Sequence, residues 1–427
     1  MKKVVININE LGPVKEQVIE LKPVMLFTGE SGLGKSYVNF LAYYLFYVFS
    51  SERLYDFLLE KIGTDINNKK EFSFGLNTSE LFDWLQNDVK KFFIYLYNFD
   101  DFKCDVKFTF KGVEDVINIK YSRVDNRTKD NEYFIFQIDI NNKSIRSITF
   151  KQHLDKTMCR VICKHLCREL LGVRANRSFL LPPGRASLLT GDFTVQQGSS
   201  KLGLYDLFLR DNDRINSRAL WSKAYEGENK KFFISQIHNL IKGDLLSEKD
   251  GLFLVTEDQQ RIPLGAAASS IKELTPLLQL LLGGVIENTA ICIEEPEAHL
   301  HPEMQISVAD LLAACINQDV YMQITTHSDY FLQRINQLLK YGSIRAKSPQ
   351  RYQTICDENN HNTECYLDKK DVNAYYFSSE NGKTKIEPLT IGSDGIPLST
   401  FFNAVGVLSQ EDEFLKDELE KLSGEDV

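Results

Sequence analysis

The sequence predicts an α/β fold, and two observations support this prediction. A β-prone run, a glycine-rich loop and an apolar run of helix length follow one another over residues 24–49. Further along, the apolar runs 290–294 and 321–325 each end in polar side chains and are separated by a segment of helix length. Strands joined by helices in this way favour parallel pairing, which gathers the polar loops at one edge of a sheet.

The glycine-rich loop matches the motif G-x-x-x-x-G-K-[ST] at every defined position. Its glycines allow backbone N–H groups to surround an anion at the positive end of the following helix. In this motif the lysine contacts the β- and γ-phosphates of a nucleotide, and the serine hydroxyl binds Mg²⁺. The sequence therefore predicts a nucleotide site made of Gly29, Glu30, Ser31, Gly32, Leu33, Gly34, Lys35 and Ser36.

Two adjacent carboxylates end the apolar run over 290–294, where the chain reads Ala-Ile-Cys-Ile-Glu294-Glu295-Pro. Charges are costly to bury singly, so paired acids at the tip of a buried strand need a partner such as a metal ion. Glu294 is the candidate Mg²⁺ ligand. Glu295 is the candidate base that polarises a water molecule for attack on a phosphate.

A histidine follows the next apolar run, in the sequence Thr-Thr-His327-Ser. This position lies just past the carboxyl end of a predicted strand, which is where ligands bind in open α/β sheets. Histidine changes its protonation near neutral pH and both donates and accepts hydrogen bonds. We therefore expect His327 to sense the γ-phosphate of the nucleotide.

Composition limits the classes of function. The chain has 427 residues and a formal net charge of -9, which argues against wrapping nucleic acid over the whole surface but allows a local basic surface. The first residues lack the apolar core of a secretory signal, and the apolar run after Ser36 is too short to span a bilayer. We therefore expect a cytoplasmic protein that does not enter a membrane.

The cysteines do not suggest a disulfide framework, since there are only eight in a chain of this size. One group repeats every four residues on an apolar helical stripe, which favours burial over a metal site that includes His165. A second candidate group for zinc lies in a polar loop. The two groups are Cys159, Cys163 and Cys167, and Cys356, His361 and Cys365.

The spacing of the motifs predicts the domain organisation. About 260 residues separate Lys35 from Glu295, more than a compact phosphate-binding fold requires, so much of the middle is interpreted as an insertion with its own task. The predicted core comprises residues 1–50 and 179–400, with a helical, lid-like segment over 200–245. Residues 51–178 form the inserted α+β region, and residues 401–427 form an acidic helical tail.

These motifs, in this order, resemble the ABC-type ATPase head of RecF, the SMC proteins and the OLD family. The segment Glu294-Glu-Pro-Glu-Ala-His-Leu-His-Pro302 is nearly the family's own spelling, and residues 9–16 with 19–23 resemble its opening hairpin. Within this group the chain looks most similar to stand-alone bacterial ATPases of the AAA_15 and AAA_21 type that carry an insertion. The resemblance covers residues 1–50 and about 179–335.

The resemblance implies a P-loop NTPase with a mixed sheet and a large α+β insertion between the Walker A and signature regions. It also implies that the chain binds ATP and Mg²⁺ and hydrolyses ATP. By the resemblance, Glu295 is the general base, His327 is the switch residue, and residues 296–301 face a second subunit. Family heads work as head-to-head dimers, in which each site borrows a serine and a helix N-terminus from its neighbour. The matching positions here are Ser269 and Ser270.

The resemblance also implies partners. Relatives in this group often serve as ATPase subunits of anti-phage systems such as Septu, PARIS and Gabija, together with a nuclease or toxin effector. No nuclease pattern is visible within this chain, so we expect any such effector to be a separate protein.

Several positions depart from the family pattern. Ser270 and Ile271 stand where relatives have one or two glycines, and a β-branched residue hinders close backbone approach to phosphate, so slow or partner-triggered hydrolysis is expected. The phosphate loop has Glu30-Ser31 where relatives often have Pro-Asn. In the family a glutamine usually links the metal to the lid, and two glutamines of this chain are candidates for it by position. Arg185 is interpreted either as a phosphate contact or as an exposed structural arginine. The two lid candidates are Gln196 and Gln197.

One predicted helix carries a basic stripe with i, i+4 spacing, within a region that has ten basic and two acidic residues over 143–185. Such a stripe either contacts the phosphate backbone of DNA or is a solvated helix face, and we favour the solvated face. The stripe consists of Lys156, Arg160, Lys164 and Arg168.

Four functions are compatible with the sequence. We favour a nucleotide-gated dimeric switch that regulates a separate effector. The main alternative is a RecF-like repair ATPase that binds DNA directly. A transporter motor is disfavoured by the long insertion and by the lack of a glycine-rich signature, and an ATP-binding scaffold without turnover is the fourth function.

Overall fold

The computed structural model describes residues 1–63, 69–127, 132–141, 143–190, 202–219, 228–248, 251–283 and 286–424. The chain begins with a hairpin, a buried strand and a long buried helix, as the sequence predicts. These elements are β1 (Val4–Leu11), β2 (Val14–Leu21), β3 (Val24–Gly29) and α1 (Lys35–Ser50).

The next part of the chain contains two helices, a group of antiparallel strands and a third helix. Residues 51–99 have a helical pattern in the sequence, and this pattern does not predict the strand β4. The following helix begins at Thr78, as the segment Thr78-Ser79-Glu-Leu predicts, and the Asn77 side chain accepts a hydrogen bond from the Ser79 N–H. The elements are α2 (Tyr55–Ile62), β4 (Glu71–Asn77), α3 (Thr78–Tyr97), β5 (Cys104–Phe110), β6 (Val116–Arg127), β7 (Glu132–Ile140), β8 (Lys143–Phe150) and α4 (Leu154–Leu171).

The remainder contains both strands and helices and ends in a helix with an exposed surface. Its elements are β9 (Arg177–Leu181), α5 (Arg185–Thr190), α6 (Gly203–Ala219), α7 (Glu228–Ile241), β10 (Gly243–Glu248), β11 (Gly251–Thr256), β12 (Arg261–Pro263), α8 (Ser269–Leu282), β13 (Thr289–Glu294), α9 (Pro302–Ile316), β14 (Val320–Thr325), α10 (Asp329–Lys347), α11 (Pro349–Glu358), β15 (Val372–Glu380), β16 (Lys383–Leu389) and α12 (Ser399–Gly424).

A six-stranded mixed sheet forms the centre of the fold, in the order β16-β15-β3-β14-β13-β9. All neighbours pair in parallel except β15 and β16, which are antiparallel. The mixed sheet predicted from the sequence is therefore confirmed. Its consequence for the site is that β3 and β13, which end in the phosphate loop and the paired glutamates, are separated by a single strand.

Alternate residues of the central strands face two different hydrophobic layers. In β3, Met25 and Phe27 pack with α1, whereas Val24 and Leu26 pack with α8, α9 and α10 on the other face. Both faces of the sheet are thus covered by helices. This accounts for the continuous apolar runs of these strands, which are typical of buried parallel sheets.

The region between α1 and β9 contacts the first strands directly. Strand β5 pairs with β1, giving the three-stranded sheet β2-β1-β5, while β4, β6, β7 and β8 form a separate four-stranded sheet. The division into a core and an insertion stays a prediction, and β5 extends the sheet of the opening hairpin. No helix in the described part of the chain is long and apolar enough to cross a membrane.

Candidate active site

The phosphate loop connects β3 to α1 and depends on glycines with positive φ. Gly29, Gly32 and Gly34 have φ values of 119°, 78° and 92°. A Cβ on Gly29 would lie 2.2 Å from the carbonyl oxygen of Phe377 on the neighbouring strand β15, so only glycine fits there. Gly34 directly precedes α1. The loop therefore lies at the positive end of a long helix, which suits an anion.

Lys35 begins α1, and its side chain turns back into the loop. Nζ donates hydrogen bonds to the carbonyl oxygens of Gly29 at 3.1 Å and Glu30 at 2.6 Å. The side chain is almost completely buried. Burial lowers the pKa of Lys35, and nearby carboxylates oppose this shift, the strongest being Glu295. The ammonium group therefore lies between the loop and the paired glutamates.

Glu294 ends β13 and is 3% exposed. Burial raises its pKa to about 7, although a hydrogen bond with the Ser36 hydroxyl lowers it. Its Oε1 atom has no hydrogen-bond partner among the residues that the structure describes. Mg²⁺ prefers oxygen ligands, and a buried oxygen that lacks a partner is a site that such an ion would satisfy. Ser36 and Glu294 therefore fit a magnesium ion.

Glu295 lies just beyond β13, with a φ of 47° that non-glycine residues rarely adopt. Its N–H donates to the Thr325 carbonyl oxygen at 3.0 Å, which holds this turn against β14. The Glu295 side chain is 44% exposed, and its Oε1 lies 4.0 Å from His327 Nε2. This carboxylate is thus accessible to water, whereas Glu294 is not, and the two acids have different surroundings suited to different tasks.

His327 follows β14, and Glu297 holds its backbone in place. The Glu297 Oε1 atom accepts hydrogen bonds from the Thr326 hydroxyl and from the His327 N–H, both at 2.8 Å. Burial lowers the pKa of His327, and Lys35 lowers it further, against the opposing effect of Glu295. The imidazole is therefore neutral near pH 7.

Glu297 has no individual role among the sequence-based predictions, in which residues 296–301 face a second subunit. Pro296, Glu297 and Leu300 are buried, whereas His299 and His301 are exposed. Only the exposed part of this segment is open to another molecule. The signal for Glu297 was its position in the same acidic run as Glu294, at the end of a buried strand.

Arg185 connects the end of β13 to α8. Its Nη1 donates to the carbonyl oxygens of Glu294 at 2.8 Å and Pro182 at 3.0 Å, and its Nε donates to the Glu273 carbonyl oxygen at 2.7 Å. The Glu273 carboxylate lies 3.4 Å from Nε. The interpretation of Arg185 as an exposed structural arginine was wrong, because the side chain is 1% exposed. Its hydrogen bonds go to protein groups.

Ser269 and Ser270 lie in the first turn of α8, as the sequence predicts for a helix start. Ser269 is exposed and Ser270 is half-buried. Among the described residues, no hydrogen bond or ion pair joins either side chain to the phosphate loop. A role for these serines at the phosphate of the same chain is therefore not supported, and a role in a second chain stays a prediction. Gln196 and Gln197, the lid candidates, lie outside the described residues.

The cysteine candidates are buried. All eight cysteines are free thiols, and those of α4 are fully buried, together with His165. In the second group, the His361 ring donates through Nε2 to the Cys365 carbonyl oxygen at 2.7 Å, and Nδ1 lies 3.1 Å from Arg334 Nη2. Both ring nitrogens are therefore engaged. Within the described ranges, no group of three or more potential ligands could hold a metal ion.

Known proteins provide further support for the type of site. Residues 222–332 match the AAA_15 family, described as an AAA ATPase domain. No curated protein sequence matches this chain. The matched range contains Glu294, Glu295 and His327 and begins well after the phosphate loop. The family match and the phosphate loop together support a P-loop ATPase.

Three solved structures similar to this chain are heads of SMC proteins. An SMC head bound to the C-winged helix domain of ScpA has 11% identity and a TM-score of 0.39, covering 91% of this chain and 97% of that chain. The SMC head domain from Thermotoga maritima has 11% identity and a TM-score of 0.35, and the match covers 92% of this chain and 100% of that chain. A Smc head domain with an extended coiled coil is bound to the C-terminal domain of ScpA derived from Pyrococcus furiosus. It has 12% identity and a TM-score of 0.36, and the match covers 96% of this chain and 99% of that chain. Likeness at this level supports no statement about function.

We expect Arg185→Met to lower the free energy of unfolding by about 3–5 kcal/mol, because it leaves the buried Glu273 carboxylate without its cation. Denaturant unfolding measures this change. The matched control is Arg351→Met, since the Arg351–Glu358 pair is exposed and its loss costs within about 0.5 kcal/mol. Arg185→Met combined with Glu273→Gln should recover part of the loss. Equal effects of Arg185→Met and Arg351→Met would contradict the structural role.

Proposed function

We propose that this chain is an ATP-binding and ATP-hydrolysing subunit that acts as a nucleotide-gated dimeric switch. In this proposal it is the cytoplasmic sensor or regulator of a bacterial anti-phage complex whose effector, a nuclease or toxin, is a separate protein. The observation that carries the enzymatic part is the common sheet edge of Lys35, Ser36, Glu294, Glu295 and His327. Such an edge combines a cationic phosphate site, a metal site and a water-accessible base.

Each residue has a distinct task in this mechanism. The loop N–H groups and Lys35 bind the β- and γ-phosphates, while Ser36 and Glu294 would hold Mg²⁺. When bound, the ion neutralises charge on the phosphate oxygens. The exposed Glu295 carboxylate orients the attacking water and accepts its proton. The neutral His327, 4.0 Å from Glu295, donates a hydrogen bond toward the transferred phosphoryl group.

The dimer is proposed because the side chains of His327 and Glu295 are 39% and 44% exposed, so the part of the site that they line is accessible to a second molecule. In the proposed dimer, the first turn of α8 from a second copy approaches this part of the site, with Ser269 and Ser270 and the free N–H groups of the helix. Support comes from the exposure of Ser269 and from Arg185, which bonds both α8 and the end of β13. Closure of the dimer and the geometry of the carboxylates are thereby mechanically linked.

Glu295→Gln should reduce ATP hydrolysis by about 10²–10⁴-fold while leaving ATP binding intact, because the amide cannot accept the proton of the attacking water. Phosphate release measures turnover, and a fluorescent ATP analogue measures binding. The matched control Glu303→Gln, at an exposed position in the first turn of α9, should retain wild-type turnover. Lys35→Met should lose binding itself. Unchanged hydrolysis by Glu295→Gln would refute its role as base.

In the Glu295→Gln background, ATP should convert the chain into a dimer, detected by light scattering after size-exclusion chromatography. Adding Ser270→Arg should abolish this dimer without weakening ATP binding to the single chain, since a large cation at the first turn of α8 blocks its approach to the partner site. Arg351→Met is the surface control and should still dimerise. A monomer under all conditions, or loss of ATP binding in Ser270→Arg, would contradict the proposed arrangement.

When the full chain is purified from its native host, a second polypeptide should co-purify with it in a fixed ratio. This second polypeptide should itself have nuclease or toxin activity. A stable regulatory contact buries on the order of 1,000 Å² or more, enough to survive purification. Mass spectrometry identifies the partner, and nuclease or growth-arrest assays define its activity. The Lys35→Met chain, purified in the same way, tests dependence on nucleotide. Recovery with DNA and no effector would favour the repair alternative instead.

A further inference from the structure

A cavity of about 770 Å³ lies at the end of α1 that is remote from the phosphate loop. It is enclosed by the end of α1, the exposed face of α4, the beginning of β9 and one face of α6. Helix α1 has 16 residues, so a rise of about 1.5 Å per residue separates Lys35 from the cavity by roughly 23 Å. The cavity is therefore a separate site, and its size is typical of pockets for small ligands.

The wall of this cavity is strongly basic, with six cationic side chains and two acids. The acids are partly compensated, because Lys156 binds Glu52 at 3.1 Å, and burial raises the pKa of Asp211 to about 7. The cavity as a whole thus carries a net positive charge near neutral pH. Its cationic residues are Arg53, Arg160, Lys164, Arg177, Arg210 and Arg214.

Three of these cations, Arg53, Arg210 and Arg214, pair with acids. Arg53 forms a bidentate pair with Asp88, with both distances 2.8 Å. Arg160 instead lies near the Tyr55 hydroxyl, and it lowers the pKa of this group against the larger, raising effect of burial. For Arg160 and Lys164, no ion pair with an acid occurs within the part of the chain that the structure describes. These two residues are one helical turn apart on α4 and face the same cavity.

The positive charges of this wall repel one another. Burial lowers the pKa of the half-buried Lys164, and the positive charges of Arg160 and Arg177 lower it further. An anion placed between these groups would offset both the repulsion and the loss of hydration. Guanidinium groups bind phosphate oxygens through paired hydrogen bonds, so a phosphate is the anion that best suits them.

Aromatic side chains line the rest of the cavity. They include the half-buried Tyr47 and Tyr95 and the buried Tyr55 and Phe179. The Arg210 guanidinium lies 5.9 Å from the centre of the Tyr95 ring, and its Nη2 donates to the Tyr95 hydroxyl. Aromatic faces next to cations are the surroundings in which nucleobases stack while their phosphates are neutralised.

We propose that this cavity binds a nucleotide, with its phosphate against Arg160 and Lys164 and its base among the tyrosines. The nucleotide is either a free mononucleotide or the phosphorylated end of a nucleic-acid strand, since both present the same chemistry. The cavity accounts for two members of the basic stripe on α4 and not for the other two. Lys156 is paired with Glu52, and Arg168 lies at a different depression. This inference does not depend on the proposed switch.

The test uses the full chain with Lys35→Met, so that the phosphate loop does not contribute to binding. One probe is a short thymidine oligonucleotide with a 5′-phosphate and a 3′-fluorophore, followed by fluorescence anisotropy. The second probe is thymidine 5′-monophosphate, followed by calorimetry, with thymidine and inorganic phosphate as reference ligands. Binding of the oligonucleotide alone identifies a strand end, and binding of the monophosphate identifies a free nucleotide.

Arg160→Gln combined with Lys164→Gln should lower the affinity for whichever probe binds by about tenfold or more, because two charge-assisted contacts to phosphate are lost. The matched control, Arg168→Gln with Arg174→Gln, removes the same charge outside the cavity and should stay within about twofold. The exchange Arg160→Lys with Lys164→Arg should retain binding. The single variant Arg160→Gln, at an exposed position, gives a result even if the double variant does not fold. Equal weakening by both double variants, or no binding of either probe, would overturn the proposal.

Discussion

Parallel pairing of three strands is the constraint on which the rest of the structure depends. Strand β14 pairs with β3 on one side and with β13 on the other, in registers that place Thr325 opposite both Phe27 and Glu294. The three strands therefore end together, and the loops that follow them share one edge of the sheet. Residues from distant parts of the chain meet only because this register holds.

The same edge concentrates charges that would be costly to bury one at a time. Glu294 and Glu297 are buried acids with raised pKa values, Lys35 is a buried cation, and Arg185 is a fully buried guanidinium. None of them is stable there alone, and each is held by hydrogen bonds or by opposite charge. This network keeps the Glu294 carboxylate away from water and leaves the Glu295 carboxylate accessible to it. The two acids can therefore perform the two different tasks that hydrolysis requires, metal binding and activation of water.

Local patterns were sufficient to predict the phosphate loop, the strand that ends in the paired glutamates and the helix start at Thr78, because each rests on residues close in sequence. The mixed sheet, which joins strands far apart in the chain, was expected from the resemblance to ABC-type heads. Long-range geometry was not predictable in this way. The order of the central strands was not assigned, since buried parallel strands all present similar apolar runs. The burial of Arg185 depends on Glu273, which lies 88 positions away, and β4 has the alternating burial of a strand in a segment that was interpreted as helical.

Helix α1 and strand β9 connect the candidate active site to the basic cavity, so coupling between the two sites can pass through these two elements. Helix α1 has Lys35 at one end and Ser50 at the other, where the Ser50 and Ser178 hydroxyl oxygens are 2.7 Å apart. Strand β9 carries Ser178 and leads to Arg185, which bonds the Glu294 carbonyl oxygen. A ligand that favoured one position of α1 relative to β9 would therefore also affect the positions of Lys35 and of the Glu294 backbone. Coupling between two sites is reciprocal. The factor by which a cavity ligand changed the affinity for ATP would therefore equal the factor by which ATP changed the affinity for the cavity ligand.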